Sequence, residues 1–129
     1  MHILGAASAY PGTAITDELL SALSTGGVAP SRTISSGISN RWSVLPEEYL
    51  RSTRNADKLA GAKAAVSSPT ELGHRAAQEA LRRAGVEPEA VGLILGDVSN
   101  PLETCPSEAQ RVGGRLGLKV EAFDIVVAD

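Results

Sequence analysis

The chain carries one thiol, Cys105, and two imidazoles, His2 and His74. A nucleophilic thiolate needs a base and an orienting group within reach. Neither histidine is close to Cys105 in the sequence, and Cys105 reads first as a small buried apolar residue. His74 has no second ligand three or four positions on, and reads as a surface or partly packed residue of a helix. No Gly-x-Gly-x-x-Gly follows the first apolar run, where Gly5-Ala6-Ala7-Ser8 stands instead, so a dinucleotide fingerprint is missing. No Gly-x-x-x-x-Gly-Lys-Ser/Thr, His-Glu-x-x-His or Cys-x-x-Cys occurs, so neither a P-loop nor a metal site is expected. The charged residues are more suggestive. Five bases (Arg41, Arg51, Arg54, Lys58, Lys63) face three acids (Glu47, Glu48, Asp57) in one stretch. That is a modest positive field suited to an anionic ligand or an acidic partner. The alternative is a solvated irregular surface.

Composition narrows the classes further. The 129 residues are 43% hydrophobic and 21% charged, with a net charge of −3, which suits one soluble globular domain over residues 1–129. A pI near 5.4 gives no basic footprint for nucleic acid. No apolar run approaches the roughly 18 residues of a membrane span, and no secretory leader opens the chain. A cytoplasmic protein is therefore expected. Aromatic residues are sparse, limited to Tyr10, Trp42, Tyr49 and Phe123. The core must be built from Ala, Val, Leu and Ile, so it is thin.

The order of elements predicts an α/β fold with a mainly parallel sheet. An apolar strand over residues 2–9 ends at Tyr10-Pro11-Gly12. Thr16 caps a helix over 17–24, stopped by Gly26-Gly27. Residues 28–66 form an irregular insert with a short helix from Glu47 to about Arg54. Ser68-Pro69-Thr70-Glu71 opens an Ala-faced helix closed by Gly85. Strand 91–95 follows, then loop 97–105, then a helix starting at Pro106 and ending at Gly117. The last strand spans 120–128. Both late strands are apolar in succession, as in sheets covered on both faces.

Several of these pieces resemble ketoacyl synthase III enzymes, in order and along nearly the whole chain. Ser36-Gly37-Ile38-Ser39-Asn40-Arg41 resembles their Thr-Gly-Ile-x-x-Arg segment. The helix closed by Gly85-Val86, followed by Val91-Gly92-Leu93-Ile94-Leu95, resembles their next helix and strand. Pro106-Ser107-x-Ala109 and Leu116-Gly117-Leu118 resemble their Pro-Ser-x-Ala helix. Phe123-Asp124-Ile125 resembles the Phe-Asp-Val strand before the nucleophile. The resemblance implies the first half of a thiolase-like fold, layered αβαβα. It also implies Claisen condensation or acyl transfer on thioesters of coenzyme A or an acyl carrier protein, in fatty acid or polyketide biosynthesis. No cofactor is implied beyond that phosphopantetheine carrier.

The same resemblance assigns candidate residues. The family's nucleophilic Cys lies six residues after the Phe of Phe-Asp-Val, which is Asp129 here. The family's His and Asn lie in the other half. Leu102, Thr104 and Cys105 fall in the loop that crosses the dimer interface and lines the partner's acyl tunnel. Some head-to-head condensing enzymes carry Leu-Glu directly before Pro-Ser, with the Glu as a base, which gives Glu103 that role. Here Thr104 and Cys105 intervene, and the alternative is an exposed loop acid. Arg41 matches the Arg near the coenzyme A entrance, where a guanidinium suits phosphate. Its alternative is an ion pair that anchors the insert. Trp42 reads as a packing residue.

An apolar strand ending at Val126-Val127-Ala128-Asp129 is awkward for a free-standing domain. The expectation is a complementary C-terminal half or second subunit in a dimer-type assembly, with the enzyme encoded as two chains or cut at this point. A non-catalytic scaffold subunit of the same fold and a self-contained α/β binding domain are the alternatives.

Overall fold

Residues 2–23, 37–38, 40–99, 101, 103 and 105–125 are described from a computed structural model of the chain. They fall into two compact units, residues 10–67 and residues 1–9 with 68–129.

In the 10–67 unit, strand β1 (Thr13–Thr16) runs directly into helix α1 (Asp17–Leu23). Thr16 marks the change, because its Oγ1 accepts from the Leu19 N–H at 3.2 Å. That bond satisfies one of the orphan donors of a helix start. Asp17 and Glu18 then suit the positive end of the helix. Strand β2 (Asn40–Ser43) pairs antiparallel with β1, Thr13 opposite Ser43 and Thr16 opposite Asn40. Helix α2 (Glu47–Thr53) follows and ends through Arg54 and Asn55, both at positive φ. Helix α3 (Lys58–Ala64) is capped by Asp57, whose side chain accepts from the Leu59 and Ala60 N–H groups. Leu19 and Leu50 are its buried apolar side chains among the described residues.

The other unit holds the parallel pair. Helix α4 (Pro69–Ala84) starts at Ser68, which accepts from the Glu71 N–H, and ends at Gly85 with φ 63°. A 3₁₀ turn (Pro88–Ala90) leads into β3 (Leu93–Gly96). Helix α5 (Glu108–Arg115) is opened by a reciprocal capping box between Ser107 and Gln110. Strand β4 (Glu121–Asp124) pairs parallel to β3, Leu93 opposite Glu121 and Gly96 opposite Asp124. Packing is close wherever residues are small. A methyl on Gly73 of α4 would come within 2.9 Å of Val112 of α5, and one on Gly113 within 3.0 Å of Ile94 of β3. The α/β class and the Ala-faced helix are as expected.

Four expectations are corrected. Residues 2–9 form no strand. They lie against α4 instead, with Gly5 so close that an added methyl would meet the Ala80 carbonyl at 2.5 Å, and the Ala6 carbonyl accepts from Arg83 at 3.0 Å. The stretch 28–66 is more regular than predicted, since it contains β2 and α3. The second late helix begins after Ser107, not at Pro106, because Ser107 supplies the cap. The late strands are not covered on both faces: Ile94 and Ala122 turn toward α5, while Leu93, Leu95 and Phe123 are each about half exposed. The end of the first helix beyond Leu23 and the last strand beyond Ile125 lie outside the described residues.

Glu79 on α4 is held by two guanidiniums, Arg82 three residues on and Arg83 four residues on, each at 2.6 Å. The hydrogen bond from Arg82, then that from Arg83, lowers its carboxyl from 4.5 to about 2. A carboxyl whose folded pKa is depressed contributes stability that is full above its ordinary value and is lost as pH falls through the folded value. Urea unfolding between pH 5 and pH 2 is expected to show this loss in the wild type. Glu79→Gln should flatten that part of the profile, and added salt should reduce the difference.

Candidate functional site

Both strands of the parallel pair end at one rung, Gly96 opposite Asp124. Parallel sheets place their ligands beyond the carboxyl ends of the strands, so this end is the candidate site. Asp124 is turned toward the N-terminus of α5. Its Oδ2 accepts from the Glu108 N–H at 2.8 Å and its Oδ1 from the Ala109 N–H at 2.9 Å. A carboxylate here satisfies two helix-start donors and meets the positive end of the helix dipole. Gly96 permits this, since a methyl there would collide with Asp124 Oδ1. The Ile125 N–H donates to the Gly96 carbonyl at 2.7 Å and extends the ladder by one bond.

The side chain of Glu108 is buried and accepts from Thr70 Oγ1 at 2.5 Å. Thr70 is buried in the first turn of α4, so the starts of both helices meet through this bond. An apolar slot of about 270 Å³ lies beside it, between Gly73 of α4, Val112 of α5 and Gly96 of β3. The role of Asp124 was missed from sequence. Its signal was a polar residue inside an apolar strand, four residues before the expected end of that strand at Ala128.

Glu103 is ion-paired with Arg111, which also donates from Nε to the Pro106 carbonyl at 3.2 Å. The acid is mostly exposed and the guanidinium largely covered. Cys105 is exposed, which corrects the buried reading, and it does not line the slot. Leu102, Thr104 and Asp129 lie outside the described residues.

Arg41, in β2 of the other unit, pairs with Asp17 at 3.7 Å, and both side chains are a little over a third exposed. Among the described residues, neither Asp17 Oδ1 nor Arg41 Nη1 has a hydrogen-bond partner, although both atoms are covered. Trp42 stacks on Tyr10 with ring centroids 5.2 Å apart, a packing contact on a half-exposed surface. Among the described residues, no group of three His, Cys, Asp or Glu side chains could hold a metal ion. None of their helices is long and apolar enough to cross a membrane.

Comparison with known proteins bears on this geometry. No family model matches the chain. It is 44% identical over 55 residues to a beta-ketoacyl-[acyl-carrier-protein] synthase III of Rhizobium meliloti (strain 1021), a match covering 42% of this chain and 17% of that protein. Among solved structures, AbyA1, a tetronic acid condensing enzyme, superposes with a TM-score of 0.71 and 27% identity over 95% of this chain and 34% of its own. The 3-oxoacyl-[acyl-carrier-protein] synthase III of Aquifex aeolicus VF5 gives 0.69 and 28%, over 98% and 34%. OleA of Xanthomonas campestris, at 22% identity and a TM-score of 0.66, shares the fold.

The fold is therefore that of thiolase-like condensing enzymes. Within that superfamily the chain is similar to ketoacyl synthase III enzymes over part of their length. It spans about a third of the solved structures' length, where half had been expected.

Proposed function

We propose that this chain is one part of a ketoacyl synthase III-like enzyme that performs Claisen condensation or acyl transfer on thioesters of coenzyme A or an acyl carrier protein. In this reading it works with a complementary polypeptide in a dimer-type assembly in the cytoplasm. The observation that carries the reading is the bare face of the parallel pair. Parallel strands are found with both faces covered. Here α5 packs on one face, while the other presents Leu93, Leu95 and Phe123 about half exposed.

Thioester chemistry needs a nucleophile, a base and donors for the developing oxyanion. The complementary polypeptide would bring the His and Asn. The loop 97–105 of this chain would shape the acyl site through Leu102, Thr104 and Cys105, with Glu103 as a base at its rim. Glu103 would have to leave Arg111 to take a proton. Arg41 would meet a coenzyme A phosphate, competing with Asp17. Arg41→Ala is then expected to raise the dissociation constant for coenzyme A about tenfold, the loss of one charge-assisted contact. Calorimetry on the native assembly measures it, and an unchanged constant would leave Arg41 as the anchor of β2 to α1.

A second reading is supported by Asp129. A carboxylate at the nucleophile position cannot form the acyl-thioester, so this chain would be a non-catalytic subunit supporting an active partner through the same loop. The assembly purified from its source through this chain separates the two. Incubated with an acyl-CoA and a malonyl thioester, it should release free thiol, while this chain alone should release none. If Asp129→Cys raises the release, position 129 is part of the reacting centre. If turnover is unaffected by Asp129→Cys and the partner supplies its own Cys, His and Asn, the supporting role stands. An assembly with no Cys, His and Asn set on any chain would sink the enzymatic reading.

A further inference from the structure

We propose that Asp124 is the positioning residue for the two ends of the loop 97–107, its carboxylate holding the start of α5 while its backbone stands in register with Gly96. The loop leaves the sheet after Gly96, the last residue of β3, and re-enters regular structure at Ser107, the cap of α5. Asp124 stands opposite Gly96 in the ladder. Its two oxygens take the Glu108 and Ala109 N–H groups, immediately after the loop, at 2.8 and 2.9 Å. Position 96 is surrendered to this contact, since only a residue without a side chain leaves room for Asp124 Oδ1. Glycine costs conformational entropy in a strand, so two positions are committed to one junction.

The rest of the neighbourhood braces the same point. Glu108 reaches from the held turn to Thr70 of α4, which fixes the helix that Asp124 grips. Arg111, one turn further along α5, holds Glu103 and the Pro106 carbonyl. A site is useful only if its supporting contacts hold it to within about 0.5 Å. A charge-assisted pair of hydrogen bonds from a strand end to a helix start supplies such a hold for both ends of the loop. The proposal rests on the preceding reading only in taking this loop as the site loop.

Cys105 allows a direct test, being the only cysteine of the chain and exposed. A nitroxide label on Cys105 of the full chain reports loop order by electron paramagnetic resonance. Asp124→Asn keeps the volume but leaves one acceptor oxygen and turns an NH₂ toward an N–H. It is expected to lose the ordered component of the spectrum while circular dichroism stays that of the folded chain. Leu19→Ala, a core truncation in the other unit, is expected to lower stability and leave the spectrum unchanged. Should Asp124→Asn fail to fold, Asp124→Ser, whose hydroxyl reaches one N–H, is read in the same way. A wild-type spectrum in the folded Asp124 variant would overturn the proposal, as would equal mobilisation by Leu19→Ala. The measurement needs neither acyl thioester nor second polypeptide, so its failure leaves the condensing-enzyme reading standing, and the failure of that reading leaves this result in place.

Discussion

Replacing Gly96 with alanine is expected to cost roughly 3 kcal/mol, combining overpacking at a tight junction with the loss of charge-assisted hydrogen bonds. The new methyl would stand on Asp124 Oδ1 and at 3.3 Å from the Ala109 Cβ. The backbone of β3 is held at this point, because the Gly96 carbonyl accepts from the N–H of Ile125, the residue after β4. The carboxylate must therefore turn away, leaving the Glu108 and Ala109 N–H groups without their acceptor at a buried helix start. Urea unfolding of wild type, Gly96→Ala, Asp124→Ala and the double variant checks the origin of the loss. If the carboxylate is what the methyl displaces, Gly96→Ala should cost much less in the Asp124→Ala background. Additive losses would place the clash elsewhere, at Ala109.

Phe123→Asp should have the largest effect on association. Phe123 sits beside Leu95 on the face of β3 and β4 that α5 does not cover. A charge at the centre of an apolar contact typically costs about 2–4 kcal/mol, or roughly 30- to 1,000-fold in dissociation constant. The side chain is half exposed, so this unit should keep its own helical signal. Loss of the complementary polypeptide at micromolar concentration with unchanged circular dichroism is the expected outcome. Leu95→Asp should behave alike. Retained assembly in both variants would mean that this face is not where the complement docks.

What could be read from the sequence follows from how local each signal is. Thr16, Ser68 and Gly85 announce helix ends within three residues of themselves, and the structure uses each in that way. The helix at 58–64 was missed because Gly61 and the neighbouring Asn55 and Asp57 look like loop punctuation. Asp57 is in fact its cap, and Gly61 is buried in a close contact with Asn55. Residues 2–9 have the composition of a strand, yet a strand also needs a partner with free backbone groups, and composition says nothing about that. Gly5 among them meets the Ala face of α4 instead.

The site was legible in unequal measure. The Phe-Asp-Ile and Pro-Ser-x-Ala segments were recognised as motifs, but their bond to one another was not. Asp124 and Ser107 are far apart in sequence, and only the parallel register brings the strand end to the helix start. The same limit applies to Glu103 and Arg111, eight residues apart across Pro106. Arg41 shows the reverse case, in which the ion pair offered from sequence as the alternative to a phosphate contact is present. Its ion pair with Asp17 exists, yet it lacks the short hydrogen bond that would fully engage the guanidinium.

We propose that this chain does its work as part of a larger condensing-enzyme fold. Native mass spectrometry of the assembly purified through this chain from its source, with sequencing of everything that accompanies it, tests that claim most directly. The expected result is a particle well above 13.3 kDa, in which further polypeptide supplies the Cys, His and Asn of thioester chemistry and covers the face around Phe123. A monodisperse monomer of that mass, unfolding cooperatively with no other polypeptide present, would contradict it.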